Sequence, residues 1–264
     1  MFYITTDATT GKKYNVIYLR EKSLGNYAKS GWANPTLYQG ETAVNPLYYS
    51  GLALSGGTSE PHTITVELAE ESAFEELPYL VPYYVPNSMS ADTSDSKLSC
   101  SGLTSYTVDE FYVYDYFAAK TPVGFSDEDA GYVAFVKKAY TALPQDTYDK
   151  MWEIIEKPEN NIDPASETLI ADVASFVQNY LPYSLDITKE YTGDFAVFFF
   201  EEAENGFCQH FATAATAMYR ALGIPARYTI GYAAMAYAGQ RSPVTAKEYL
   251  QALQCLADYR RNRR

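Results

Sequence analysis

Short runs of apolar, aromatic and β-branched residues recur along residues 1–120, and their pattern is that of β-strands. Residues 63–68 alternate one by one, as a half-buried strand does. Residues 105–117 are aromatic and β-branched with apolar side chains on both faces, which favours a strand covered on both sides. Residues 14–19 and 47–54 are shorter candidates. Turn residues separate these runs, so the pattern predicts a β-sandwich-like domain over residues 1–125.

This predicted domain has a core and an exposed loop. The residues expected in a core of its own are Val66, Leu68, Phe111 and Val113. Residues 87–101 are polar and rich in Ser and Asp, which indicates an exposed loop. We expect proteases to cut first in that loop or at residues 160–161.

The spacing changes to that of helices after residue 125. Ser126 and Asp129 form a capping-box-like start for a helix that runs to about Leu143. Residues 146–157 predict a second helix, and together these two make a helical linker over residues 126–160.

An apolar stripe before Pro182 predicts a third helix. Asp163 as the N-cap and Pro164 in the first helical position are expected to start it. The stripe consists of Leu169, Val173, Phe176, Val177, Tyr180 and Leu181. Pro182 is expected to end this helix.

Residues 206–232 carry the most informative pattern. Gly206 precedes a helix made almost wholly of small and apolar residues, which is typical of a helix buried on several sides. Gly223 supplies a left-handed C-terminal cap, and residues 224–232 then alternate as a strand. The chain as a whole is therefore predicted to be α+β.

Cys208 falls in the first turn of this buried helix. Free backbone N–H groups at a helix start favour a thiolate, and they can bind the oxyanion that forms when the thiolate attacks a carbonyl. A cysteine that only packs in the core is the alternative. The other cysteines are Cys100 and Cys255, and an odd number excludes a fully paired disulfide framework.

Charge and hydropathy limit the function classes. The chain of 264 residues has 20 Lys and Arg against 33 Asp and Glu, a net charge of −13, so nucleic acid is not expected as a partner. The longest purely apolar stretch, residues 195–200, is too short to span a membrane. No spacing suits zinc, and no metal or cofactor is expected. No signal peptide follows Met1, so we expect a cytoplasmic protein or an excised piece of an exported one.

Three stretches around Cys208 resemble the transglutaminase-like superfamily, in its bacterial, membrane-anchored extracellular branch. They are residues 206–214 (GFCQHFATA), 220–228 (RALGIPARY) and 231–232 (GY). Residues 194–200 resemble the segment that leads into this motif. The resemblance runs from about residue 163 to 247 and implies a papain-like α+β domain over residues 161–264.

The resemblance implies that Cys208 is the nucleophile, that a His on a later strand is the base and that an Asp orients this His. In the family, this His lies in a segment similar to Asp-Ala-His-Ala-Trp-Val-Glu, and residues 244–247 resemble the approach to it. No His and no Trp follow Lys247, and the whole chain holds only His62 and His210. We therefore expect the base half of the site and its strand to be absent, which leaves the domain incomplete and the cleft open.

The two histidines are expected to have structural roles. His210 lies two residues after Cys208 and points about 200° away around the helix, so it is expected to be a buried, hydrogen-bonded residue. His62 is expected at the surface. Gly206 and Arg227 are expected to support the site.

Tyr183 has two interpretations, either packing in the core, which is favoured, or assisting an oxyanion with its hydroxyl. The acidic residues Glu201, Glu202 and Glu204 are expected on a solvated face, since no calcium-site spacing is present. The basic residues 260–264 are expected to be a tail, with contact to anionic lipid as the alternative.

The resemblance implies cysteine-dependent acyl transfer or hydrolysis on amide bonds of a protein or peptide substrate, in the ectodomain of a membrane-anchored protein. A non-catalytic exported binding or scaffold module is the alternative. A His–Asp pair within reach of Cys208 would discriminate between them. We also expect that the chain can form a homo-oligomer, because a second copy would cover the incomplete cleft.

Overall fold

The chain combines helices and sheets, as the predicted α+β class requires. The computed structural model describes residues 2–7, 15–33, 62–70, 79–80, 84–85, 104–110, 130–245 and 249–255. The strands in these ranges are β1 (Phe2–Thr6), β2 (Asn15–Leu24), β3 (Asn26–Ala28), β4 (Gly31–Ala33), β5 (His62–Leu68), β6 (Tyr79–Leu80), β7 (Tyr84–Val85), β8 (Ser105–Glu110), β9 (Ala226–Ala236), β10 (Ser242–Val244) and β11 (Tyr249–Cys255). The helices are α1 (Ala130–Ala139), α2 (Gln145–Ile155), α3 (Leu169–Tyr180), α4 (Phe195–Glu201) and α5 (Cys208–Ala221), with a 3-10 helix at Pro158–Asn160. None of these described helices is long and apolar enough to cross a membrane.

Each of the two main sheets joins strands from both ends of the chain. The five-stranded sheet has the order β10-β1-β5-β8-β7, and Phe2 of β1 lies opposite Val244 of β10. The four-stranded sheet has the order β11-β9-β2-β6, and Asn15 of β2 lies opposite Ala236 of β9. Strands β3 and β4 form a separate hairpin.

Side chains from both sheets meet in one hydrophobic core. Its buried members are Phe2, Ile4, Ile17, Leu19, Ile64, Val66, Tyr106, Val108, Tyr232, Ala234, Ala236 and Val244. The predicted core residues Val66 and Leu68 therefore pack together with β9 and β10 instead of forming an N-terminal core of their own. The N-terminal β-sandwich and the boundary near residue 125 stay predictions.

Two of the predicted strands form where the alternation placed them, as β5 and β2. The third predicted strand is described over Ser105–Glu110, as β8, in the interior of its sheet. Tyr106 and Val108 are buried but Ser105 and Thr107 are exposed, so this part is covered on one face and the prediction of two covered faces is wrong here. Phe111, Val113 and residues 47–54 and 87–101 lie outside the described residues.

The helices follow the predicted spacing, but α1 ends at Ala139 instead of near Leu143, and the start of α3 also differs. This helix begins at Leu169 with Thr168 as its N-cap residue, so Asp163 and Pro164 do not start it. The Asp163 carboxylate does accept the Ala165 N–H at 2.8 Å, as an N-cap does, but the Ser166 and Thr168 hydroxyls both donate to the Asp172 carboxylate and the regular helix starts only after them. The apolar stripe is confirmed, with Leu169, Val173 and Val177 buried.

Helix α5 lies at the centre of a second hydrophobic core. Its small residues let α2, α3 and α4 pack closely around it, and Met218 and Tyr219 are fully buried there. Tyr27 of β3 and Trp32 of β4 also pack in this core. The N-terminal hairpin is therefore part of the support of α5.

The chain forms a strand after Lys247, although we expected that strand to be absent. Strand β11 pairs antiparallel with β9, from Tyr249 opposite Tyr232 to Cys255 opposite Ala226. The expectation followed from the absence of the family's His segment, but the residues 249–255 are apolar enough to pair with a buried strand without it. The prediction that this strand is absent is therefore wrong.

Candidate active site

Cys208 is the first residue of helix α5, as the pattern around it predicts. Its side chain is half-buried, and its thiol is not in a disulfide. Residues Cys208 and Gln209 donate no backbone hydrogen bond to any described residue, whereas the next two N–H groups donate to the Phe207 carbonyl. Two backbone donors are therefore free beside the thiol, which is the arrangement that can hold an oxyanion.

His210 helps to set where α5 begins. Its Nδ1 accepts a hydrogen bond from the Phe207 N–H at 3.4 Å, which is the role that Glu or Gln plays in a capping box. The imidazole lies against the rings of Phe195 and Phe207, at centroid distances of 4.8 and 4.6 Å. Burial lowers the pKa of His210 and favours the neutral imidazole, with the proton on Nε2 because Nδ1 accepts. These contacts agree with the structural role that we predicted for His210.

Gly206 makes room for this histidine. A Cβ atom on residue 206 would lie 2.9 Å from the His210 Cβ and 3.2 Å from its Cγ, which is closer than van der Waals contact allows. The Gly206 N–H also donates to the Pro182 carbonyl at 3.1 Å, and its carbonyl accepts the Ser184 N–H at 2.8 Å. The absence of a side chain at Gly206 therefore leaves room for His210 at the helix start, and the Gly206 backbone holds the segment around Tyr183.

Tyr183 lies at the surface beside the start of α5. Its side chain is 64% exposed, so the favoured prediction of core packing is wrong. Residue 183 forms a parallel β-bridge with Gly206, and its ring stacks on Phe211 at 6.0 Å. Gly206 is two residues before Cys208 and Phe211 is three residues after it. The backbone bridge and the ring contact therefore place Tyr183 beside the start of α5.

Strand β9 covers the face of α5 that carries Cys208. Ala212, one turn after Cys208, packs with Tyr228 and Ile230 of β9. Trp32 closes the same cluster, stacking on Tyr228 at 5.5 Å and donating from Nε1 to the Thr213 hydroxyl at 3.0 Å. This packing agrees with the predicted position of Cys208 beside the strand, although the contact itself is made by Ala212.

Strand β11 packs beside α5 and pairs with β9, with Tyr249 opposite Tyr232. The later strand that the resemblance implies is thus present beside α5, and its sequence Tyr-Leu-Gln-Ala-Leu-Gln-Cys contains no His.

The histidine outside α5 lies in the other sheet. His62 is the first residue of β5 and is only 7% exposed, so the prediction of a surface position is wrong. It is buried because its side chain lies on the same face of β5 as Ile64 and Val66, which pack in the hydrophobic core between the two sheets. This sheet is separate from the one that packs on α5.

Two buried arginines support the far end of α5. Arg227 is buried with its guanidinium over the Tyr140 ring at 5.3 Å, a contact that fits its predicted supporting role. Arg220 was not among the predicted site residues, and it is 1% exposed. It donates to the carbonyls of Ala142, Gly25 and Ala226 at 2.7–3.0 Å. The signal for it was available, since Arg220 is the one charged residue in a helix of small and apolar residues.

Helix α4 is tied to two other elements through Asp194. The Asp194 carboxylate caps α4 by accepting the N–H groups of Ala196 and Val197, and it also accepts the hydroxyls of Tyr27 and Thr147. Burial raises the pKa of the Tyr27 phenol, so it remains a donor. No group of three His, Cys, Asp or Glu residues converges to hold a metal ion within the described ranges.

Comparisons with known proteins agree with this geometry. Residues 153–260 match the family described as the Transglutaminase-like superfamily. The crystal structure of the periplasmic domain of TgpA from Pseudomonas aeruginosa aligns with 97% of this chain and 80% of its own, at 17% identity and a TM-score of 0.54. The same domain bound to ethylmercury aligns with 97% of this chain and 81% of its own, at 17% identity and a TM-score of 0.46. No curated protein matches the chain. The predicted resemblance is therefore confirmed for residues 153–260, and the first alignment supports the fold.

Proposed function

We propose, from the match of residues 153–260 to the transglutaminase-like superfamily, that Cys208 forms the nucleophile half of a site that acts on amide carbonyls of proteins or peptides. The observation that carries the proposal is the half-buried Cys208 thiol at the start of a buried helix, with two free backbone N–H groups beside it. A thiolate at this point can attack a carbonyl while these groups hold the oxyanion.

The reaction needs a proton donor as well as a nucleophile. Attack forms a sulfur–carbon bond, and collapse of the oxyanion expels the amine, which must take up a proton as it leaves. Water or a second amine then releases the acyl group from sulfur, which gives hydrolysis or transfer. In the family that this chain resembles, a histidine carries these protons.

This chain offers no histidine for that step. His210 accepts from the Phe207 N–H, and His62 lies in the other sheet. We therefore expect Cys208 to be acylated by activated carbonyl compounds but not to turn over amides. The same observation favours the second candidate, a non-catalytic binding or scaffold module that has kept the fold of the site.

An activated ester separates the two candidates. With p-nitrophenyl acetate, attack by the Cys208 thiolate expels nitrophenolate without general acid help, so we expect one burst of nitrophenolate per chain. The Cys208→Ala chain is the control for Cys100 and Cys255, and mass spectrometry locates the acetyl group. Equal bursts from both chains would overturn the proposal in favour of the scaffold module.

Amide substrates test the absent base. A glutamine-containing peptide is expected to turn over no faster with this chain than with Cys208→Ala, and added imidazole is expected to raise only the rate of the unaltered chain. A positioned base contributes about 10²- to 10⁴-fold, so turnover without imidazole would be plain to measure. Such turnover would contradict the proposal that the base half is absent.

The Tyr183 hydroxyl is proposed as an additional oxyanion donor, because the residue lies within one turn of Cys208. Tyr183→Phe keeps the ring against Phe211 and removes only the hydroxyl. If the hydroxyl donates to the oxyanion, the burst slows by up to about 100-fold. An unchanged burst rate would leave Tyr183 without this role.

We also propose that the chain lies outside the cytoplasm, as the ectodomain of a membrane-anchored protein with a protein or peptide substrate. The support is the alignment with a protein domain that is periplasmic. Fractionation of cells that express the whole parent protein tests this location, and recovery in the cytoplasm would contradict it.

A further inference from the structure

The segment that follows α3 keeps two large apolar side chains in solvent. Tyr183 is 64% exposed and Leu185 is 76% exposed, more than any other large apolar residue in the described part of the chain. We name these two side chains the 183–185 surface. Exposed apolar side chains that lie together mark interaction sites more often than scattered ones do.

Hydrogen bonds hold this segment in one conformation. The Ser184 N–H donates to the Gly206 carbonyl at 2.8 Å, and the Ser184 hydroxyl accepts the Asp186 N–H at 3.0 Å. The Asn205 side chain donates to the Asp186 carbonyl at 3.0 Å and accepts the Thr188 N–H at 3.4 Å. Leu185 is therefore exposed in a segment whose backbone is already ordered. A ligand that binds there loses little free energy to ordering of this segment.

The 183–185 surface lies next to the thiol. Residue 183 is bridged to Gly206, two residues before Cys208, and the Tyr183 ring stacks on Phe211, three residues after it. A peptide side chain resting on this surface would thus be only a few residues from the carbonyl that Cys208 reaches.

The charge around this surface is strongly negative. Residues 183–208 contain six carboxylates against one cation, Lys189. Asp194 caps α4, and the other five are Asp186, Glu190, Glu201, Glu202 and Glu204. Lys189 pairs with Glu202 at 3.5 Å, and Lys150 pairs with Glu201 at 3.3 Å. Within the described residues Asp186, Glu190 and Glu204 form no ion pair, which favours a positively charged ligand.

We propose that the 183–185 surface docks a peptide segment of the substrate that carries a large apolar side chain flanked by Lys or Arg. The apolar side chain packs on Leu185 and the Tyr183 ring, and the cations face Asp186 and Glu204. This inference rests on the proposed function of Cys208 and adds the substrate class of the same site.

Binding of labelled peptides tests the surface without any chemistry at the thiol. The full chain with Cys208→Ala is titrated into a fluorescein-labelled peptide with one Leu between Lys residues, and anisotropy reports the Kd. Leu185→Ser is expected to raise the Kd by about tenfold, because it removes most of the apolar contact. The matched control is Met235→Ser, since Met235 is an apolar side chain that is 52% exposed on β9, and it is expected to leave the Kd unchanged.

Two further peptides complete the test. Replacing the peptide Leu by Gly, or its Lys residues by Glu, is expected to weaken binding, and higher salt is expected to weaken binding of the basic peptide. Equal Kd values for Leu185→Ser and Met235→Ser, or no binding of the basic peptide, would overturn the proposal. Iodoacetamide labelling of the chain with Cys208 intact is measured separately. If the thiol is unreactive but the peptide binds selectively, the proposed function of Cys208 is contradicted and the proposed docking surface is supported.

Discussion

Helix α5 begins at Cys208 beside exposed side chains and ends around Arg220, which is 1% exposed. At the first end, two backbone N–H groups have no acceptor in the described residues and the thiol is half-buried. At the second end, three backbone carbonyls from other parts of the chain accept from one guanidinium. One end is therefore left available for a ligand, and the other is fixed.

The difference shows how a reactive position is held on a rigid element. The Arg220 side chain joins α5 to Gly25 after β2, to Ala142 after α1 and to Ala226 at the start of β9. Its charge is buried over the Trp32 ring, with Cζ 4.8 Å from the centroid, and burial lowers the pKa of Arg220 to about 9. The free end of α5 can stay open to solvent because this closed end keeps the helix in place.

Of the changes at the two ends of α5, replacing Arg220 is expected to lower the free energy of unfolding the most. Arg220→Met keeps a long side chain but removes the donor from the buried carbonyls of Gly25 and Ala226 and from the carbonyl of Ala142, which costs about 3 kcal/mol of unfolding free energy. Urea unfolding measures the loss. Arg241→Met is the control, because Arg241 pairs with Glu67 at the surface and is expected to cost less than about 1 kcal/mol. Equal losses would show that Arg220 does not fix this end of the helix.

Adding a methyl group at the open end is expected to have a smaller effect. Gly206→Ala forces its Cβ against His210, and we expect a loss of about 2 kcal/mol together with a changed rate of iodoacetamide labelling at Cys208. Gly239→Ala is the control. Gly239 has φ of 68° and open space around it, so Ala there is strained without any contact. A labelling rate that is unchanged in Gly206→Ala would contradict the link between Gly206 and the thiol.

The smallest expected effect is a pH dependence of stability from His210. Burial lowers its pKa in the folded chain below the ordinary 6.5, so the unfolded chain binds the proton more readily. The stability from neutral His210 is therefore complete above about pH 6.5 and falls as the pH drops below it, by at most about 1.4 kcal/mol per pH unit.

His210→Gln removes this titration and keeps an acceptor for the Phe207 N–H. The difference in unfolding free energy between the two chains, measured by urea titration from pH 8 to pH 5, isolates His210 from the carboxylates. We expect the difference to shrink below about pH 6.5. A difference that stays constant across the range would show that His210 keeps its ordinary pKa.

The parts of the site that lie close together in sequence could be predicted. The Gly206 and Gly223 boundaries, the apolar face of α5 and the alternation of β9 follow from local preference and spacing, so Cys208 was placed in its helical turn correctly. The predicted start of α3 was wrong because the hydroxyls of Ser166 and Thr168 bind the Asp172 carboxylate and the helix begins after them, not at Asp163. Local hydrogen bonds of this kind contribute about 1 kcal/mol each, which spacing rules do not resolve.

The positions that depend on distant partners could not be predicted. His62 was expected at the surface because it starts a predicted strand, but its face of β5 is covered by the core that strands from both ends of the chain form. Tyr183 was expected to pack in the core, but the Gly206 backbone holds its segment at the surface. The sequence marked Arg220 as the one charged residue of α5, but its three acceptors come from other parts of the chain and only the structure identifies them.

The sequence alone determined the helix that carries Cys208, the absence of a third histidine and the resemblance of residues 206–232 to the transglutaminase-like superfamily, because each is a local property of the chain. The tertiary structure decided that the N-terminal strands complete the sheets of the C-terminal region, that β11 forms beside β9 without the expected histidine, and that Tyr183 and Leu185 lie exposed next to the thiol. Pairing of a strand depends on which partner covers it, and burial of a side chain depends on what packs above it. Neither the strand partner nor the covering residues can be deduced from the spacing of apolar residues along the chain.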